Sequence, residues 1–215
     1  VPASEISAVE RAKTYRRRAI PSGPSFGAVF AIAIFLALTA RPASCAALEE
    51  RLAPCLACHG DKGQSLMPQV PSLGGQPEFY LSVQLYLFRE NLRRVEPMNS
   101  MMQGASDDEL KRMAAALSKL PAPQPAAEPP DPRRVARAEA LIQQHRCNFC
   151  HNGDFSGEKN APRLAGQRED YLVKALRDYK ANLRRAYDPS MADVLYPLTD
   201  ADIQDLAHYL AHIRP

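Results

Sequence analysis

Cys55-Leu56-Ala57-Cys58-His59 and Cys147-Asn148-Phe149-Cys150-His151 are the residues of this 215-residue chain with chemistry in their spacing. Two thiols about one helical turn apart can reach the two vinyl groups on one edge of a porphyrin. The next residue then presents an imidazole to the iron. Cys-x-x-Cys-His therefore marks a covalently attached c-type haem. Its double occurrence predicts two haem c groups, bound by Cys55, Cys58, Cys147 and Cys150, with His59 and His151 on the irons. A tetrahedral zinc site needs four N or S ligands close together, and each motif offers three. A thioredoxin-like motif needs alternating strands and helices, and neither motif has strand-like runs beside it. Only Cys45 lies outside the motifs, so there is no disulfide framework.

The sixth ligand decides what such an iron can do. In the second half Met191 is the only methionine, in a stretch that reads as a loop before the last helix. In the first half Met98, Met101 and Met102 compete. Met191 stands eight residues before Thr199 and Met98 eight before Ser106, which selects Met98. Iron closed by His and Met has no open position, and the thioether raises its potential. That predicts a carrier of single electrons and not a catalyst. A metal-bound histidine usually donates its other N–H to a fixed acceptor. The backbone carbonyls of Pro71 and Pro162 are the expected acceptors.

These residues recur because the chain is an internal repeat. Pro71-Ser72-Leu73-Gly74-Gly75-Gln76 matches Pro162-Arg163-Leu164-Ala165-Gly166-Gln167, and Tyr80-Leu81 matches Tyr171-Leu172. Asn91-Leu92-Arg93-Arg94 returns letter for letter as Asn182-Leu183-Arg184-Arg185. Between the copies, residues 121–131 are proline-rich and should be extended and semi-rigid. The expected division is a leader over 1–45, a first domain over 46–120, a linker over 121–131 and a second domain over 132–215. Each copy reads as three helices plus loops. Leu48 to Leu56 leads into the first motif, and Asp131 caps a helix from Pro132 running to the second. Middle helices begin near Pro77 and Arg168. Ser106 with Glu109 forms a capping box, and Thr199 with Asp202 a weaker one. Leu110, Met113, Leu117 and Leu120, and Ile203, Leu206, Leu210 and Ile213, make stripes of helical period.

The N-terminus reads as an address. A basic cluster, Arg16-Arg17-Arg18, precedes an uncharged apolar run over residues 26–40 and the small residues Ala43-Ser44-Cys45-Ala46-Ala47. This is the layout of a secretory signal cut near residues 45–47, with an uncleaved membrane anchor as the alternative. The formal net charge is +3, but residues 1–45 hold six of the 27 basic and two of the 24 acidic side chains. The remainder is close to neutral, so nucleic-acid binding is not expected.

Taken together, the motifs resemble the two-haem cytochrome c4 family, over roughly residues 48 to 215. The haem motifs, the Pro-x-Leu-x-Gly-Gln segment, the methionine and the Ser/Thr-Asp-x-Asp/Glu helix start carry the resemblance. It implies an all-α fold: a tandem pair of small class I cytochrome c domains, each wrapped round one haem, in a pseudo-symmetric pair. It also implies a periplasmic location and redox partners such as a terminal oxidase, a quinol-oxidising complex or a flavoprotein; a membrane surface is a further possible partner. The alternative is a dedicated cytochrome subunit, as in a flavocytochrome that oxidises sulfide. Asn152 departs from the glycine that follows His59 in the first copy. His208 and His212, one turn apart, could ligate a metal but lie off the apolar stripe and are expected on the solvated surface. His145 is expected to be structural. Arg93-Arg94 and Arg184-Arg185 are expected to complement helix C-termini, or to meet haem propionates or a partner. Tyr80 and Tyr171 are expected to pack on haem or on neighbouring helices.

Overall fold

The computed structural model describes residues 43–184 and 189–214. The leader expected over 1–45 lies, as far as residue 42, outside the described residues, as does Arg185. Ala43–Pro215 is one compact unit. In chain order its helices are α1 (Ala43–His59), α2 (Glu78–Arg89), α3 (Met98–Met102), α4 (Asp107–Ser118), α5 (Pro132–His145), α6 (Cys147–His151), α7 (Glu169–Lys180), α8 (Ser190–Leu195) and α9 (Asp200–His212). Among the described residues there is no strand, only an isolated bridge between Glu158 and Ala161. No described helix is long and apolar enough to cross a membrane.

The helix starts follow the side chains that satisfy their free N–H groups. Ser106 Oγ accepts from Glu109 N at 3.2 Å while the Glu109 carboxylate accepts from Ser106 N at 3.0 Å. Thr199 and Asp202 form the same reciprocal pair at 3.2 and 2.8 Å, so the expected weaker cap is complete. Asp131 accepts from Arg133 N at 2.8 Å ahead of Pro132, which needs no partner at the first helical position. α2 and α7 end before Asn91 and Asn182, both at φ 56, a left-handed conformation that asparagine tolerates better than most residues.

The principal helix packings all fall within one copy of the repeat: α2 on α3 and α4, α1 on α4, α9 on α5 and α7, and α7 on α8. Leu110, Met113 and Leu117 bury the stripe of α4 against Leu81, Leu85 and Phe88 of α2. Ile203, Leu206 and Leu210 bury that of α9 with Ala138, Ile142, Leu172 and Leu176.

Two sequence expectations change, and the linker gains partners. The helix from Pro132 does not run unbroken into the second motif: Arg146 turns left-handed (φ 53, ψ 39), and α6 restarts at Cys147. Met98 and Met191 are not in loops. Each sits in the first turn of a short helix, α3 or α8, whose preceding residue is a proline pre-set for a helix start. The linker is tied at both sides: Gln124 N donates to Gln64 Oε1 at 3.1 Å, and Ala126 N to Ala211 O at 2.9 Å. Gly75 and Gly166, at φ 63 and 71, let the linker approach. A Cβ on Gly75 would lie 3.0 Å from Ala122 Cα, and one on Gly166 would lie 2.7 Å from Pro123 O.

The copies meet through their Pro-x-Leu-x-Gly-Gln segments. Gln76 Nε2 donates to Arg163 O at 2.9 Å and Gln76 Oε1 accepts from Arg163 N at 3.0 Å. Gln167 Nε2 donates to Ser72 O at 2.9 Å and its Oε1 accepts from Ser72 N at 2.8 Å. Gln76 and Gln167 hold the same place in the two copies, as do Ser72 and Arg163, so the seam has reciprocal symmetry.

Candidate haem sites

In the first copy the motif lies at the end of one continuous helix, α1, with Pro54 inside it. Cys55 and His59 are buried and Cys58 is half-buried. In the second copy α6 alone carries the motif, burying His151 and leaving Cys147 half-buried and Cys150 exposed. The chain then leaves the histidine left-handed in both copies: Gly60 at φ 86 and Asn152 at φ 67. Asn152 thus does the backbone work of the glycine. Its Nδ2 donates to Ser156 Oγ and Gly157 O, both at 3.1 Å, which holds the strained turn.

Both imidazoles are pinned as expected. His59 Nδ1 lies 2.8 Å from Pro71 O and His151 Nδ1 lies 2.9 Å from Pro162 O. A carbonyl oxygen only accepts, so each Nδ1 carries the proton and each Nε2 keeps its lone pair for a metal. Burial pushes both imidazoles below the ordinary histidine range, so they stay neutral, as a ligand must be. Burial pushes the Cys55 and Cys147 thiols up.

His151, Cys147, Cys150 and Met191 together line a cavity of about 510 Å³. Its walls are apolar, with Ile142, Phe155, Leu164, Leu195, Leu206 and Leu210, and Tyr80, Val83 and Gln84 of the first copy close one side. The donor set, two thiols on one rim, an imidazole and a thioether, suits a covalently held haem. A larger, more open cleft of about 660 Å³ lies among Arg134, Glu169, Asp170, Lys174 and Asp178, has no cysteine or methionine on its walls, and is solvated charged surface. In the first copy Met98 and Met101 are half-buried against the cluster that contains Leu52 and Cys55. Met102 is fully enclosed and fills the core.

The repeated Asn-Leu-Arg-Arg segments do more than cap helices. Arg93 Nη1 donates to Gln84 Oε1 at 2.5 Å, and its guanidinium lies 4.6 Å over the Phe88 ring. Arg184, 7% exposed, donates to Tyr171 OH at 3.1 Å and across the seam to Tyr80 OH at 2.9 Å, and it lies 4.7 Å over the Tyr179 ring. Burial favours a neutral Tyr171, but Arg184 and Arg93 outweigh it and bring its hydroxyl down to about 8; burial takes Tyr80 up to about 12. Arg93 Nε and Arg184 Nε are buried with no acceptor, and neither guanidinium has a carboxylate partner among the described residues. A buried Arg184 and a half-buried Arg93, both facing only neutral oxygens, call for an anionic group beside them. Haem propionates fit that need.

The expectation for His208 fails. It is 8% exposed: its Nε2 accepts from Asp131 N at 2.9 Å, and its Nδ1 faces Glu169 Oε2 at 3.0 Å. Its place beside the stripe is covered by the start of α5, a long-range packing that periodicity on one helix does not reveal. Glu169, His208 and His212 gather three possible metal donors within 4.8 Å. However, His208 Nε2 is held by a backbone N–H, so its Nδ1 carries the proton and offers no lone pair. The paired roles of Gln76 and Gln167 were also missed; their identical place in the two copies was the available sign.

The general cytochrome c family pattern matches residues 135–214. The chain is 33% identical to cytochrome c4 of Thiocapsa roseopersicina over 168 residues, 73% of this chain and 85% of that protein. It is 34% identical to the thiosulfate dehydrogenase electron acceptor of Thiomonas intermedia, over 85% of this chain and 89% of that one. Reduced cytochrome c4 from Pseudomonas stutzeri superposes with a TM-score of 0.71 at 28% identity, covering 81% of this chain and all of that one. The helical fold, the repeated motif and these likenesses agree: the chain belongs to the cytochrome c4 family, c-type cytochromes with two haem c groups that carry electrons and are not themselves enzymes.

Proposed function

We propose that this protein is an exported, periplasmic carrier that delivers single electrons to a terminal oxidase of a respiratory chain. Cys55 and Cys58 hold one haem and Cys147 and Cys150 the other, within domains 46–120 and 132–215 joined by the linker 121–131. His59 with Met98, and His151 with Met191, would ligate the two irons. The haem supplies a reversible one-electron change at iron, and the chain does the rest. Pro71 and Pro162 carbonyls orient the imidazoles and fix their tautomer. The methionine thioethers leave no position for oxygen and favour the reduced state. Ile142, Leu164, Leu206 and Leu210 keep water away from the second site, so little solvent must reorganise when the charge changes. Arg93 and Arg184 neutralise haem carboxylates at the seam. The observation that carries this reading is the pair of matched histidine–proline hydrogen bonds at equivalent places in the repeat.

A second reading is service to one enzyme as its dedicated acceptor. The relative named thiosulfate dehydrogenase electron acceptor, 34% identical, favours a thiosulfate-oxidising donor. A flavoprotein that oxidises sulfide belongs to the same class. Stopped-flow mixing tests both. Reduced protein should be oxidised rapidly by oxidase-containing membranes, and inhibition of the oxidase should stop it. Oxidised protein reduced by thiosulfate dehydrogenase in turnover, with no reaction at membranes, would replace the first reading with the second. Purified protein that lacked a haem absorption spectrum would end both.

A further inference from the structure

Main chain that serves the haem histidines also forms the seam between the two copies. The Pro71–Ser72 peptide has two polar groups. Its C=O accepts from His59 Nδ1 at 2.8 Å, and its N–H donates to Gln167 Oε1 at 2.8 Å. The Pro162–Arg163 peptide repeats the arrangement. Its C=O accepts from His151 Nδ1 at 2.9 Å, and its N–H donates to Gln76 Oε1 at 3.0 Å. Each glutamine therefore ends a hydrogen-bonded chain that begins on the histidine of the opposite copy. Gln76 is 4% exposed, Gln167 3% and Ser72 1%, so water hardly competes. Each amide also donates from Nε2, to Arg163 O or Ser72 O, which keeps its oxygen turned to the N–H, and Gln167 Oε1 accepts from Arg168 N as well, at 3.0 Å.

We propose that Gln76 and Gln167 are positioning residues that tune the reduction potential of the haem in the opposite copy. Hydrogen bonds in series polarise one another, on the order of 10–30% per bond. A peptide whose N–H donates to Gln167 carries more negative charge on its carbonyl oxygen. That oxygen draws the His59 Nδ1 proton more strongly, and the imidazole becomes a more electron-rich ligand. Oxidised iron gains, so the glutamine holds the potential down. Gln76 does the same to His151. The proposal rests on His59 and His151 being the iron ligands.

The test uses the haem-loaded protein with Gln167→Leu and Gln76→Leu. Individual potentials are followed by the haem-methyl NMR resonances through a redox titration. Gln167→Leu should raise the potential of the His59 haem, and Gln76→Leu that of the His151 haem. The expected size is a two- to threefold rise in the reduced-to-oxidised ratio at fixed ambient potential, about 20–30 mV at about 59 mV per tenfold. The Nδ1 proton resonance of the same histidine should move upfield. General loosening of the seam would not produce this crossed pattern. Potentials that stay put, or that shift only in the copy carrying the substitution, overturn the proposal. Haem content and the near-infrared sulfur-to-iron band, read from the same samples, report separately on the ligand assignment. Should one leucine variant fail to assemble, the other and its Gln→Met counterpart carry the same test.

Discussion

Asp205→Asn should cost about 1.5–2.5 kcal/mol at neutral pH, and the loss should vanish in acid. Asp205 on α9 is 5% exposed, and it accepts from Arg134 Nε at 3.2 Å and from Arg137 Nε and Nη2 at 2.5 and 3.0 Å, all from α5. Arg134 continues to Glu169 at 3.0 Å, so one carboxylate ties together the three helices that frame the second haem site. Removing one partner of a buried ion pair costs about 3–5 kcal/mol when the other is left dry. Here the arginine side chains are 26% and 57% exposed and can rehydrate, and asparagine still offers one acceptor. What remains is close to the about 1.5–3 kcal/mol of a hydrogen bond to a charged group. The hydrogen bonds from Arg137 hold the Asp205 carboxyl below the ordinary carboxylate range, against the opposing effect of burial. A carboxyl with a lowered folded-state pKa stabilises above its unfolded pKa, and that stability is lost as pH falls through the folded value. Urea unfolding of both haem-loaded proteins, followed by helix circular dichroism from neutral to acid pH, measures the gap. A neutral-pH gap under about 0.5 kcal/mol, less than one net hydrogen bond, or a gap that persists unchanged in acid, would refute the argument.

Met98→Ala and Met191→Ala should each remove about half of the near-infrared sulfur-to-iron band, since each deletes the thioether of one iron. Met101→Ala should leave the band whole. Met102→Ala should also leave it whole but destabilise by about 2–5 kcal/mol, because that side chain is fully enclosed in the core. Thr199→Ala should lower stability by about 1 kcal/mol through loss of the cap on α9, and Thr199→Ser should restore it in the same urea assay.

The placement of the two motifs and the partners of their histidines were legible because they depend on short-range spacing. Cys-x-x-Cys-His is a local geometry, and so is the reach from His59 to Pro71 across a single loop. The long helices were legible for a similar reason: Ser106–Glu109 and Thr199–Asp202 are contacts across one turn. What escaped was set by distant neighbours. His208 read as surface because α9 alone does not show that the backbone of Asp131 and the Glu169 side chain cover it. Arg184 read as a helix-end charge or a contact for a propionate or partner, and its reach to Tyr80, 104 residues away in sequence, was not foreseen. The break at Arg146 was hidden because nothing about arginine announces a left-handed turn. There the haem motif's placement outweighs helix propensity.

The seam is written in side-chain amides that grip another segment's backbone, and backbone is common to every amino acid. The grip itself therefore does not depend on which side chain the gripped residue carries: one copy has a small hydroxyl at Ser72, the other a long cation at Arg163, and the backbone of both is clasped alike. Two fused halves can in this way drift apart in surface and charge, each specialising toward its own neighbour, while the joint that holds them in register stays intact.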